Sequence, residues 1–283
     1  MIWVVAGTRD ARRLIEGIWR AGLPVIASVV SEYGAQLLQE AFSGKVPVHQ
    51  GAMDPPAMRS FVREKGIIAV IDATHPFARV VSENLLKLAA GEGVAYLRYE
   101  RPSVDTTDFP NLIAVRNWEE ALDALGEAEE GETVFLATGS RALPQVVPPL
   151  LQKKLRPIAR VLPDLDSLRQ CLDLGLQADQ IIAMQGPFSE EMNRAMFAQT
   201  KARWLVTKES GAVGGADAKL RAAAGMGLKT ILLCRPALPY PCATTDFDEA
   251  VAWAGERLQW SDKERLFPNQ NMKLEHETST SEI

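Results

Sequence analysis

Ile67-Ile68-Ala69-Val70-Ile71-Asp72-Ala73-Thr74-His75-Pro76-Phe77-Ala78-Arg79 is the stretch on which the fold turns. Its first five residues are an unbroken apolar run rich in β-branched side chains. Such a run reads as a strand buried on both faces, as strands of parallel sheets are. The run stops at Asp72, Thr74 and His75, and Pro76 then opens a helical pattern. In open parallel sheets the crevice at the carboxyl ends of the strands is where ligands bind. A carboxylate, a hydroxyl and an imidazole gathered at that point make a candidate site.

Working outward, the same design repeats. Strand-like runs at 2–6, 25–30, 45–50, 67–72 and 94–99 alternate with helical patterns near 10–20, 34–42, from 54 onward, and 77–90. This alternation is the signature of βαβ units around a parallel sheet and predicts a doubly wound domain over residues 1–104. Residues 101–111 are rich in proline and aspartate and read as a connection. A second series follows, with strands at 112–115, 133–137, 155–161, 180–184, 204–207 and 230–234. Helices are expected over 118–125, after Ser140, and over 165–174, 189–200, 216–225 and 247–260. The fold class is therefore α/β, two Rossmann-like doubly wound domains with largely parallel sheets, the second over 105–260. Residues 261–283 are polar and aperiodic, which predicts a frayed tail.

Composition narrows the function classes. Of 283 residues 47% are apolar, yet no apolar run reaches transmembrane length. The opening Ile2-Trp3-Val4-Val5-Ala6 reads as a first strand, without the basic segment of a signal peptide. A net charge of −5 gives no reason to expect nucleic acid. The three cysteines, Cys171, Cys234 and Cys242, form no CxxC pair or Cys/His cluster, which suits a reducing compartment and argues against a metal site. The expectation is a cytoplasmic protein with no membrane or nucleic-acid partner.

Other strand ends carry chemistry too. Ala6-Gly7-Thr8-Arg9 places a glycine where backbone N–H groups can approach a phosphate at a helix start, though a full GxGxxG is missing. Ser31 and Glu32 close the second strand, the position that selects between NADH and NADPH in dinucleotide folds; they read equally as a helix N-cap and a first-turn acid. Thr138-Gly139-Ser140-Arg141 and Gln185-Gly186-Pro187 repeat the strand–polar–glycine design. Val206-Thr207-Lys208-Glu209-Ser210-Gly211 adds a cation and a run of glycines, a concavity suited to phosphate or carboxylate. Arg9, Arg79, Arg98, Arg101, Arg141, Arg160, Lys208 and Arg235 all fall at strand ends or the turns after them. Cations concentrated there in an acidic protein point to an anion-rich ligand, for which guanidinium forks are suited.

Taken in order, 72–78, Tyr96-Leu97-Arg98-Tyr99-Glu100-Arg101-Pro102, 138–140, 186–189 and 207–211 resemble the precorrin-6A reductase family of corrin biosynthesis, including its cobalt-precorrin-6A branch. The resemblance runs from about Ile2 to Pro236, with Ala6-Gly7-Thr8 in place of the family's usual Gly-Gly-Thr. It implies hydride transfer from NADPH or NADH to a macrocycle double bond, with both molecules held in a cleft between two Rossmann-like halves. It also implies a tetrapyrrole substrate bearing many carboxylates and no need for a protein-held metal; a cleft internal to one chain needs no partner subunit, so a monomer or weak homodimer is expected. On that basis Gly7, Thr8, Arg9, Thr138, Gly139, Ser140, Gly186, Ser210 and Gly211 are expected to hold the cofactor. Thr74, His75, Arg98, Arg101 and Lys208 are expected to meet the substrate. His75 and Lys208 are the candidate proton donors, with water the alternative.

Two rival readings remain on the sequence. A short-chain dehydrogenase needs Tyr-x-x-x-Lys, and Tyr33, Tyr96, Tyr99 and Tyr240 all lack a lysine four residues on. A non-catalytic nucleotide-sensing module needs one Rossmann half and leaves the second set of strand-end motifs unexplained.

Overall fold

The structure, a computed structural model, describes residues 1–100, 102, 103, 105–107, 109, 111–209 and 216–266. The chain begins with strands β1 (Ile2–Ala6), β2 (Val25–Val29), β3 (Val48–Gln50), β4 (Ala69–Ala73) and β5 (Ala95–Tyr99). Between them run helices α1 (Arg9–Arg20), α2 (Glu32–Phe42), α3 (Pro55–Lys65) and α4 (Arg79–Glu92). A second series supplies β6 (Leu112–Val115), β7 (Thr133–Ala137), β8 (Arg156–Val161), β9 (Ile181–Ala183), β10 (Ala202–Lys208) and β11 (Lys229–Leu233). Its helices are α5 (Trp118–Ala124), α6 (Leu143–Gln152), α7 (Leu165–Asp173), α8 (Glu190–Thr200) and α9 (Ala216–Gly225). The chain then forms β12 (Ala243–Thr244) and α10 (Phe247–Leu266).

Contacts divide it into two units, Met1–Glu100 with the chain from Leu238 onward, and Arg101–Ala237. In the first, the sheet order is β12-β5-β4-β1-β2-β3 and every neighbouring pair is parallel. Every position of β1, β2 and β4 is buried, apolar throughout β1 and interrupted by Ser28 in β2 and Asp72 in β4. Alternate residues serve opposite faces. Ile2, Val4, Val25 and Ala27 pack with Leu14, Ile15, Leu38, Phe42 and Ala250, while Trp3, Val5, Ile26 and Val70 pack with Met58, Phe61, Leu85 and Leu88. The second unit has the order β6-β11-β10-β7-β8-β9, again with every pair parallel.

Both sheets follow the dinucleotide-binding order 3-2-1-4-5-6; the sixth strand is β12, from the far end of the chain, in one and β6, which precedes the rest of its series, in the other. β12 pairs with β5 at Arg98 and Tyr99, and Phe247 of α10 packs so closely on α1 that a Cβ on Gly17 would lie 2.5 Å from its Cζ. The sequence reading kept 105–260 together; the chain from Leu238 instead returns to the first sheet. A two-residue strand leaves no periodicity to read, and an amphipathic last helix does not name the sheet it covers. That helix also runs on to Leu266 past the expected end at 260, and residues 267–283 of the expected tail lie outside the described part.

One boundary near the opening stretch moves as well. α4 begins at Arg79, not at Pro76, because a turn comes first: the Phe77 N–H donates to His75 Nδ1 at 3.2 Å and the Ala78 N–H to the His75 carbonyl at 2.7 Å.

Candidate active site

In a 3-2-1-4-5-6 sheet the crevice opens between the first and fourth strands of the series, where the connections diverge to opposite sides. In the first unit those strands are β1 and β4. Their turns lie side by side: a Cβ built on Gly7 would meet the His75 N at 3.9 Å and the Thr74 Cα at 4.0 Å. Thr8 ties them together, its hydroxyl donating to the Ala73 carbonyl at 3.3 Å and capping α1 by accepting from the Ala11 N–H at 3.2 Å. Arg9 opens α1, and its side chain lies outside the described part.

Beneath these turns the Asp72 carboxylate is 0% exposed and fully bonded. Its Oδ1 accepts from the Thr74 N–H (3.1 Å), the Thr74 hydroxyl (2.7 Å) and Arg98 Nη1 (2.9 Å). Its Oδ2 accepts from Ser82 (2.6 Å) and Tyr96 (2.9 Å). Arg98, also 0% exposed, donates further to Thr74 Oγ1 at 3.2 Å and lies 5.4 Å from the Tyr240 ring, which stacks with Tyr96. Burial and then the Asp72 charge push the Tyr96 hydroxyl pKa upward. Burial works most strongly against the Arg98 charge, but the Asp72 carboxylate, with Tyr240, Glu100 and Tyr96 adding to it, holds that pKa up.

The expected acid–hydroxyl–imidazole group therefore separates. Asp72 and Thr74 face inward, and the one hydroxyl proton of Thr74 is committed to Asp72. Arg98, expected to meet substrate carboxylates, is a strut under the turn with no surface to offer them. His75 is half-buried, and with Nδ1 accepting from Phe77 the neutral ring carries its proton on Nε2. Sequence reasoning missed Ser82, Tyr96 and Tyr240 as partners. Only the helical phase of Ser82 and the strand register of Tyr96 could have suggested two of them.

In the second unit the diverging strands are β7 and β10, in register at Ala137 and Thr207. Gly139 adopts φ +76 and ψ 163, a conformation essentially reserved for glycine, and the space its Cβ would take is open. A short 3-10 turn, Ser140–Ala142, then leads into α6. The Ser140 hydroxyl lies 3.0 Å from Ser167 Oγ, which is 2.9 Å from Asp164 Oδ2, and this fixes the turn from behind. Across the register Lys208 is half-buried, its Nζ 5.8 Å from the Trp118 ring centroid. Burial first, and then the positive charge of Arg141, lower its pKa.

Side-chain oxygens cap α1, α2, α3, α5, α7, α8 and α10. No side chain caps α4 or α6, the helices that follow β4 and β7. At α4 this leaves first-turn backbone N–H groups and the positive end of the dipole to an incoming anion, whereas at α6 the Ala142 and Leu143 N–H groups already bond the Gly139 and Ser140 carbonyls and Pro144 has none, so there the turn at Gly139 and the dipole are what is offered. Both belong to strands at a switch point.

Other expected residues fall elsewhere. Gly186 lies beyond the outer strand β9, where the Phe188 ring would press on its Cβ at 3.1 Å, so packing accounts for that glycine. Ser31 caps α2 through the Gly34 N–H at 3.1 Å, and Glu32 sits in the first turn. Arg101, Ser210 and Gly211 lie outside the described residues. The strand-end cations are less available than the pattern suggested: Arg79 pairs with Glu83 at 2.6 Å, Arg98 with Asp72, and Arg235 with Glu209 at 3.5 Å. Among the described residues no three His, Cys, Asp or Glu side chains group as a metal site, and no helix is long and apolar enough to cross a membrane.

Residues 1–255 match the family described as Precorrin-6x reductase CbiJ/CobK. A cobalt-precorrin-6A reductase of Priestia megaterium is 40% identical over 252 residues, which span 89% of this chain and 96% of the relative. One from Methanothermobacter thermautotrophicus is 37% identical over 238 residues, 82% of this chain and 76% of the relative. A solved CobK precorrin-6A reductase shares the fold at a TM-score of 0.73, covering 90% of this chain and 96% of its own, with 24% identity.

Proposed function

The chain belongs to the precorrin-6x reductase family, and on that premise we propose that it reduces a carbon–carbon double bond of cobalt-precorrin-6A, giving the 6B form, in cobalamin biosynthesis. The cobalt form is favoured because both relatives described above carry it in their names. The reductant is a nicotinamide nucleotide, NADPH or NADH, which supplies the hydride.

One observation carries the reading: among the α-helix starts described, those without a side-chain cap, α4 and α6, follow β4 and β7, the switch-point strands of the two sheets, and Gly7 and Gly139 stand in turns at those same strand ends. Room for a phosphate to reach backbone is present at both glycines. At Gly139 nothing lies within 4 Å of the Cβ position, and at Gly7 only the neighbouring turn bounds it. Gly7 and Thr8 in the first unit, and Thr138, Gly139 and Ser140 in the second, are the turns suited to a phosphate of the dinucleotide, with Thr8 and Ser140 fixing them. Lys208 binds a macrocycle carboxylate and serves as general acid, since a lysine with a lowered pKa releases its proton more readily. His75, through Nε2–H, can donate to a ligand at the switch point of the first unit. Asp72 and Arg98 hold the His75 turn rigid from below. Most of the rate gain comes from holding the two reactants in orientation.

The test is absorbance of reduced nicotinamide in the presence of purified protein, comparing NADPH with NADH and cobalt-precorrin-6A with precorrin-6A. Macrocycle-dependent oxidation is expected, faster with the cobalt form. No oxidation with any of the four combinations overturns the reading.

A further inference from the structure

The second unit buries two cations that face no acid among the described residues. Arg160, near the end of β8, is 9% exposed, and Lys219, on α9, is 6% exposed. Among the described residues no carboxylate pairs with either. Arg160 Nη1 donates to Asn193 Oδ1 at 2.8 Å and approaches Met196 Sδ at 3.8 Å, while the Phe188 and Phe135 ring centroids lie 4.4 and 5.5 Å from its guanidinium carbon. Lys219 Nζ donates to the Thr207 hydroxyl at 2.7 Å. All of these partners are neutral.

The two cations stand together. Phe135, Ile158 and Leu205 share one core with Met196 and Phe197 of α8 and Ala222 and Ala223 of α9. Two residues further along the same strands come Ala137, Arg160 and Thr207, which side-chain alternation puts on that same face at the carboxyl edge. Lys219 reaches this row from α9. Burial, and next the charge of Arg160, push its pKa down to about 7; burial alone pushes Arg160 down to about 10.

Taking a charge out of water is costly, so buried ions are normally paired. The first sheet obeys this rule at the same depth, with Arg98 facing Asp72. Two adjacent unpaired cations in the second sheet are a standing cost to folding that an incoming anion removes. Lys219 retains two N–H donors beyond the one given to Thr207, and Arg160 has donors besides Nη1. We propose that Arg160 and Lys219 form a seat for one oxyanion, a phosphate or a carboxylate, at the carboxyl edge of the second sheet. Only the source of that anion rests on the proposed function: a nucleotide phosphate or a macrocycle carboxylate.

The test uses the full chain with Lys219→Met and Lys219→Arg. Melting temperature without ligand, calorimetric Kd for NADP+ and for inorganic phosphate, and KM for cobalt-precorrin-6A are measured for each. Lys219→Met should melt no lower than wild type, since it removes an unpaired buried charge, and Lys219→Arg should recover most of the binding. A charged hydrogen bond lost from the seat weakens its ligand ~10- to 100-fold. A weaker Kd for NADP+ and phosphate identifies a phosphate seat; a raised KM with NADP+ binding intact identifies a carboxylate seat. Either supports the proposal. Kd and KM all within about twofold of wild type would overturn it. So would a Lys219→Met chain that melts far lower, because Lys219 would then be a strut for Thr207. Wild type that binds NADP+ without oxidising any nicotinamide would count against the enzymatic reading alone, leaving the binding comparison to decide the seat.

Discussion

Asp72 and Arg98 stand directly opposite each other on adjacent parallel strands, bonded at 2.9 Å with neither side chain exposed. The pair sits beneath the turn that carries His75, so it sets where the imidazole stands. Removing one partner of such a pair costs ~3–5 kcal/mol, because the other is left charged and buried. Asp72→Asn should therefore lower unfolding stability by about that amount, and adding Arg98→Met should recover part of it. Urea denaturation of the single and double variants measures both. A single variant as stable as wild type would show that the pair does not brace the turn.

The two switch-point glycines should respond differently to a methyl group. Gly139→Ala forces alanine into a glycine-only conformation and should cost ~1–3 kcal/mol of stability. Gly7 has an ordinary backbone, and an added Cβ meets only van der Waals contacts. Gly7→Ala should keep its melting temperature and lose affinity for the nicotinamide nucleotide. Thermal melts paired with nucleotide titrations separate the effects. Unchanged affinity would remove Gly7 from the phosphate site.

Lys208→Ala should leave the fold intact, since the side chain is half-buried against Trp118. Turnover should fall by ~10²-fold or more if Lys208 is the general acid. Steady-state rates across pH test this further: the acidic group in the wild-type profile should vanish in the variant. Wild-type kinetics would take Lys208 out of the site.

Lys219 also gives stability a pH signature. Its folded pKa of about 7 lies below the ordinary 10.5. Between those values the unfolded chain binds the extra proton, so stability should rise with pH and the full cost should be present below about 7. The rise is at most ~1.4 kcal/mol per pH unit. Lys219→Met should lack it, which denaturation of both proteins between pH ~7 and ~9 will show. Parallel pH profiles would mean that Lys219 does not titrate in this range.

Gly17→Ala examines the return of the chain to the first sheet. The new methyl collides with the Phe247 ring, an overpacking that typically costs ~1–3 kcal/mol. Phe247→Leu in the same chain should relieve part of the loss. Additive losses in the double variant would indicate that α10 does not press on α1.

The local patterns were legible in the sequence because they depend on neighbours. Ile67 to Ile71 announced a buried strand, which forms two residues later at Ala69–Ala73, Asp54 and Pro55 a helix start, and Gly7 and Gly139 turns at strand ends, each through a constraint a few residues long. The βαβ alternation announced two largely parallel sheets, but not the order of their strands. Tertiary structure decided what those strand-end groups do. Asp72 and Arg98 are 26 residues apart, and Tyr240 joins them from the far end of the chain, so no period along the sequence could pair them. The same holds for β12 and α10, whose sheet is chosen by complementary packing on β5 and Gly17. Arg98 and Arg160 look alike as strand-end arginines. The fold gives one a carboxylate and leaves the other beside Lys219 without one, because burial and partners are properties of three-dimensional neighbourhood and not of residue type.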